Sequence, residues 1–196
     1  VSSKEEYPAL LQILTEANGE TSLSERKSFA LRAFATSSRY DTAIFNYFNS
    51  DNTTQLLRVS QDEAQVLRYG ENPHQSSAYY VSTTENRSMK DFVQLNGKEL
   101  SFNNIRDMDI AWKVANEFDE IACCAVKHST PCGVAIAEDV FTAYKKAHDC
   151  DPVSIFGGIV AINREIDAVT AEELNKIFLE IVIAPSYSPE ALEVLK

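Results

Sequence analysis

The sequence has no apolar run approaching the roughly 20 residues that cross a bilayer, and no basic stretch followed by an apolar one at its start. A membrane-spanning helix is excluded and no signal peptide is legible, so the expected setting is cytoplasmic. Positive charge is scarce. Lys and Arg number 18 against 29 Asp and Glu, for a formal net charge of -11. Nucleic acid is held by a basic face, so an electrostatic grip on DNA or RNA is excluded. A small phosphorylated ligand needs only one local Arg or Lys cluster and remains compatible. Cysteine is sparse too: Cys123, Cys124, Cys132 and Cys150 form no framework of spaced pairs, which points to reduced thiols in a cytosolic protein. Internal repeats and low-complexity tracts are missing. What is present is a globular composition, 44% hydrophobic and 24% charged, which argues against disorder.

Along the chain the texture changes once. Tyr7, Leu10, Leu11 and Leu14 recur at helical spacing, and Asn18-Gly19 supplies a stop. Ser22-Leu-Ser-Glu25 has the form of a capping box, with a Ser hydroxyl at the N-cap and a Glu three residues on. A long amphipathic run through Phe29, Ala33, Tyr40, Ile44, Tyr47 and Phe48 follows. The polar stretch 49–54 carries turn chemistry and marks a linker or boundary. After Ala64, short apolar runs alternate with helical patterns, which predicts a layered α/β domain. Strands are expected at 77–82, 121–126, 158–162 and 181–183. Helices are expected at 105–118, 139–148 and 170–179, the last with Glu172 and Glu173 in its first turn, where the dipole favours them. The chain begins with Val1 rather than Met and stops within the helical pattern of residues 188–196, so it is expected to be a segment of a longer protein.

Three clusters carry polar chemistry. In Arg68-Tyr-Gly-Glu-Asn-Pro-His-Gln75, Arg68 offers a planar fork of donors for a phosphate or carboxylate. Tyr69 adds an aromatic face and a hydroxyl, and His74 a group able to move a proton near neutral pH. A plain surface loop accounts for the same residues. In Val126-Lys-His-Ser-Thr-Pro-Cys-Gly133 a buried strand ends in Lys127-His128 and then breaks at Pro131-Cys-Gly133. Active sites gather where the strands of α/β sheets end, though a snorkelling Lys127 and a capping His128 fit as well. In the third cluster, Gly157-Gly158 before a strand allows close backbone approach to a ligand, or simply a tight turn. Cys123, Cys124, His128 and Cys132 raise the question of zinc. Successive strand residues point to opposite faces, so Cys123 and Cys124 cannot readily meet on one ion. No spaced pair of cysteines is present, and no zinc is expected.

Taken together, Arg68-Tyr-Gly-Glu-Asn-Pro-His-Gln75, Lys127-His-Ser-Thr-Pro-Cys-Gly133, Ser154-Ile-Phe-Gly-Gly-Ile-Val-Ala161 and Ile183-Ala-Pro185 resemble the bifunctional AICAR transformylase/IMP cyclohydrolase family of purine biosynthesis. The resemblance covers nearly the whole chain. It implies that residues 1–62 are the last helices of a methylglyoxal-synthase-like cyclohydrolase domain. Residues 63–196 would then be the first, cytidine-deaminase-like subdomain of the transformylase, without its zinc. The implied reaction moves a formyl group from the co-substrate 10-formyltetrahydrofolate to AICAR, with IMP ring closure elsewhere in the full-length protein. By position, Lys127 and His128 would be the catalytic pair, while Arg68, Tyr69, His74, Gly157 and Glu180 would bind AICAR. The family is dimeric, with transformylase sites shared across the dimer. A homodimer is therefore implied for the full-length enzyme, and an inactive nucleotide-binding module for this segment alone.

Overall fold

The computed structural model describes residues 1–61, 64–80 and 91–196. It divides into two compact units, Val1–Ala64 and Gln65–Lys196. The first unit is helical. Helix α1 (Tyr7–Glu16) opens with a proline in its first turn, where the missing N–H costs nothing. It stops at Asn18 and Gly19, both with positive φ. Helix α2 (Leu23–Phe48) starts on the expected capping box: the Ser22 hydroxyl accepts from the Glu25 amide, and the Ser22 amide donates to Glu25 Oε2 at 2.6 Å. Inside this unit Glu6 pairs with Arg32. The stretch 49–54, expected to carry turn chemistry at a linker or boundary, folds back on itself. The Asn49 side chain bonds both the carbonyl (2.9 Å) and the amide (2.8 Å) of Thr54.

The second unit holds two sheets. Strands β1 (Ala64–Leu67) and β2 (Ser77–Tyr80) form a short pair. The expected strand 77–82 thus stands to Tyr80, and its last two positions lie outside the described residues. The main sheet contains β3 (Ile121–Lys127), β4 (Thr130–Ala137), β5 (Ile159–Ile162) and β6 (Ile181–Ile183), in the order β4-β3-β5-β6. Only β5 and β6 run parallel. Helix α3 (Phe102–Ala115) covers one face. There Met108, Ala111 and Ala115 pack with Cys124, Val126, Ile159, Ala161 and Ile183. Helices α4 (Val140–Cys150), α5 (Ala168–Leu174) and α6 (Pro189–Leu195) cover the other, where Tyr144, Ala147, Leu174 and Ala191 meet Cys123, Ala125, Val160 and Ile162. With both faces covered, β3 and β5 read as continuous apolar runs rather than alternating ones.

Three local expectations change. Residues 131–133 do not break the chain; they belong to β4. Pro131 is tolerated because β4 is an edge strand. Val126 pairs with Pro131 and Ala125 with Gly133, so Cys132 is the extra residue of a bulge. Gly133 is required there, since a Cβ would lie 1.9 Å from the Ala147 carbonyl oxygen of α4. Helix α3 begins three residues earlier than the apolar spacing indicates, because Ser101 and Asn104 form a capping box. Helix α5 is capped by Asp167, which puts Glu172 and Glu173 near its C-terminal end. Dipole stabilisation is lost there, and Glu173 pairs with Lys145 and Lys176 instead.

Candidate active site

Strand β3 delivers Lys127 and His128 to one end of the sheet. The β3–β4 hairpin closes with the pair Lys127 and Thr130, so its turn is only His128-Ser129. Both residues have positive φ, 52° and 62°. That matches a two-residue primed hairpin turn, normally occupied by Asn-Gly. In His and Ser the left-handed conformation costs roughly 1–2 kcal/mol each. The compensation comes from α3. Asp107 accepts from the His128 amide at 3.1 Å through Oδ2. Through Oδ1 it accepts from the Ser129 amide at 2.8 Å and the Ser129 hydroxyl at 3.2 Å.

Lys127 is half-buried, and its ammonium donates to the Phe156 carbonyl. Gly157 follows with φ +68°, and its amide donates to the Phe178 carbonyl at 2.7 Å. A Cβ at Gly157 would sit 3.3 Å from Lys127 Nζ. The glycine therefore serves twice, by taking a left-handed conformation and by leaving room beside the ammonium. Glu180 directly precedes β6, and its amide donates to the Gly158 carbonyl at 3.0 Å. Its carboxylate accepts from Asn104 Nδ2 at 2.7 Å. Asn104 is buried, and its Oδ1 is already occupied by the amide and hydroxyl of Ser101. The amide therefore cannot turn round, and one carboxylate oxygen of Glu180 is fixed.

The 68–75 loop borders the same region. It is pinned to the start of α3 by Arg68 N to the Leu100 carbonyl (2.8 Å) and by Phe102 N to the Tyr69 carbonyl (3.0 Å). Asn103 adds a bond to the Glu71 carbonyl at 3.1 Å. Together these elements enclose a cleft of about 620 Å³. Of the residues singled out in sequence, Tyr69, Lys127, His128, Gly157 and Glu180 line it. Arg68 and His74 do not. Arg68 lies over the Tyr69 ring at 4.9 Å and donates to its hydroxyl at 3.3 Å, while His74 is exposed on the outer part of the loop. The lining also includes Glu71, Asn104, Arg106, Asp107 and Phe178, which sequence reasoning passed over. The Ser101-x-x-Asn104 cap was the one signal that could have drawn attention to the start of α3. Cys123 and Cys124 face opposite sides of β3 and lie in different apolar clusters. Burial pushes the Cys123 thiol well up from its ordinary value and that of Cys124 to about 12. They are core residues, not ligands converging on one ion.

A covered α/β sheet carries Lys127 and His128 at one strand end, where it opens on a cleft of small-molecule size. Comparison with known proteins gives the family. The sequence model described as AICARFT/IMPCHase bienzyme matches residues 1–196, and the chain belongs to that family. It is 54% identical over 190 residues to the bifunctional purine biosynthesis protein PurH of Clostridium kluyveri, covering 97% of this chain and 38% of that protein. It is 53% identical to the PurH proteins of Fusobacterium nucleatum and Clostridium botulinum, covering 100% of this chain and 38% and 39% of theirs. The chain thus spans under two fifths of the length of these relatives.

Proposed function

We propose that this segment contributes the catalytic half of an AICAR transformylase site, within a full-length cytoplasmic homodimer that also closes the IMP ring. The observation that carries the reading is the placement of Lys127 and His128 at the end of β3, beside a cleft that Tyr69, Gly157 and Glu180 also line. The amine of AICAR is a poor nucleophile, because its lone pair is delocalised into the ring and the carboxamide. Attack on the formyl carbon of 10-formyltetrahydrofolate forms a C–N bond and a tetrahedral oxyanion. His128 takes the amine proton, and the Lys127 ammonium stabilises the oxyanion. Collapse breaks the bond to folate N10, which receives a proton and leaves as tetrahydrofolate. Tyr69 and Glu180 hold the nucleotide, Gly157 lets it approach the backbone, and Arg68 and His74 serve from the neighbouring loop. The half-site belongs to a cytidine-deaminase-like subdomain that works without zinc.

Steady-state formyl transfer by the full-length enzyme tests this. His128→Ala should lower kcat by roughly 10²-fold or more while AICAR still binds. Lys127→Ala should also lower turnover, since the oxyanion exists only after attack. Near-normal transfer by His128→Ala overturns the assignment of the base and turns attention to His74. A second reading applies to the isolated chain, favoured by its 38% coverage of its relatives. It holds AICAR weakly and turns nothing over. Calorimetry with AICAR, run beside an assay for formylated product, separates binding without turnover from both alternatives.

A further inference from the structure

We propose that Asp107 is a positioning residue for formyl transfer, holding the His128-Ser129 turn and with it the aim of the His128 imidazole. The inference rests on the assignment of His128 as the base. It starts from a mismatch between sequence and conformation. A two-residue turn with both φ values positive suits Asn-Gly, yet this one is His-Ser at φ 52° and 62°. Neither residue is a glycine, and each meets a steric cost in the left-handed region. The turn must be held from outside, and the carboxylate of Asp107 takes three donors from it, two of them backbone amides.

The placement follows from the helix. Asn104, Met108, Ala111 and Ala115 are the buried positions of α3, and Asp107 lies beside them, three residues after Asn104 and four before Ala111. It therefore projects from the edge of the packed stripe towards the end of β3. Packing of Met108 and Ala111 against the sheet fixes the height of the carboxylate relative to the turn. Both oxygens are committed to the turn. The carboxylate touches the backbone of His128 and not its ring, which differs from the arrangement in which an acid orients and charges a catalytic imidazole. Its effect on catalysis is geometric: it sets where the base stands relative to the Lys127 ammonium.

This arrangement makes separable predictions in the full-length enzyme. Asp107→Ala and Asp107→Asn should lower kcat by about 10²-fold, the order expected for a misplaced catalytic group, with a smaller change in the AICAR KM. In the Asp107→Ala background, Ser129→Gly should restore part of the lost turnover, since glycine adopts positive φ without penalty. A normal kcat per folded molecule with only a lowered melting temperature would show a purely structural residue and overturn the proposal. No recovery with Ser129→Gly overturns it as well. His128→Ala measured in parallel keeps the two claims apart. If that variant transfers formyl normally, the assignment of the base has failed and the positioning role for catalysis fails with it. Amide resonances of His128 and Ser129 in the 196-residue chain then show whether Asp107→Asn releases the turn. A shift supports the hold itself, and unchanged resonances overturn that too.

Discussion

At the scale of single residues, four thiols occupy environments that should behave differently. Cys123 and Cys124 are fully buried, and burial raises both thiols, Cys124 to about 12. Cys132 is partly buried, raised mainly by desolvation, and donates to the Ala125 carbonyl. Cys150 is exposed. The thiolate is the reactive form, so an aromatic disulfide reagent at neutral pH should label Cys150 first and Cys132 slowly. Cys123 and Cys124 should react only on unfolding. Mass spectrometry of timed samples reads the order, and early labelling of Cys123 would contradict the packing of β3. The same residues show what could be read from sequence. Period-two alternation alone separates Cys123 from Cys124. The place of Lys127 and His128 at a strand end was legible from the apolar run before them. Asp107 and Asn104 were not, because their importance lies in what they touch 21 and 76 residues away, and no local pattern encodes that.

Among the elements, helix α4 offers the cleanest test of a local signal. Asp139 caps it, its carboxylate accepting from the Thr142 amide at 2.7 Å and the Thr142 hydroxyl at 2.8 Å. The Thr142 amide first, and the hydroxyl second, hold the Asp139 carboxyl below its ordinary 3.8. A depressed folded value means that the stabilisation is present above about pH 4 and is lost as pH falls through the folded value. Melting temperatures measured from pH 6 down to 2 should fall at the acid end. Asp139→Asn keeps a good cap but removes the ionisation, so its curve should be flatter in that range. Equal slopes for the two proteins would remove Asp139 from the acid transition. Helices announced by capping chemistry, such as α2 and α4, were legible to within a residue or two. Strand β4 was not, because Pro131, Cys132 and Gly133 have turn composition. What makes them a strand is an edge position, a bulge and the backbone of Ala147, all of which are tertiary facts.

For the molecule as a whole, the two units differ in how they are held. In the α/β unit, helices on both faces bury the sheet. In the helical unit no residue of α1 or α2 is buried, and Leu31, Phe34, Tyr47 and Phe48 are 73 to 77% exposed. Residues 65–196 expressed alone should therefore give cooperative unfolding and dispersed amide spectra. Residues 1–64 alone should bind a hydrophobic dye and self-associate, as large exposed apolar patches do. Circular dichroism melts and dye fluorescence on the two pieces check this. A molten 65–196 would mean that the α/β unit needs the helices. Among the described residues no helix is long and apolar enough to cross a membrane.

One feature of the cleft bears on time rather than geometry. The hairpin that carries Lys127 and His128 joins neighbouring stretches of chain, and such local pairings form fast. The opposite wall depends on Glu180, which is tied to Asn104 across 76 residues and stands just before β6 (Ile181–Ile183). On a ribosome the hairpin can therefore form while that wall is still unmade. The turn that carries Lys127 and His128 is built early, and the cleft beside it closes only after the last strand of the sheet has emerged.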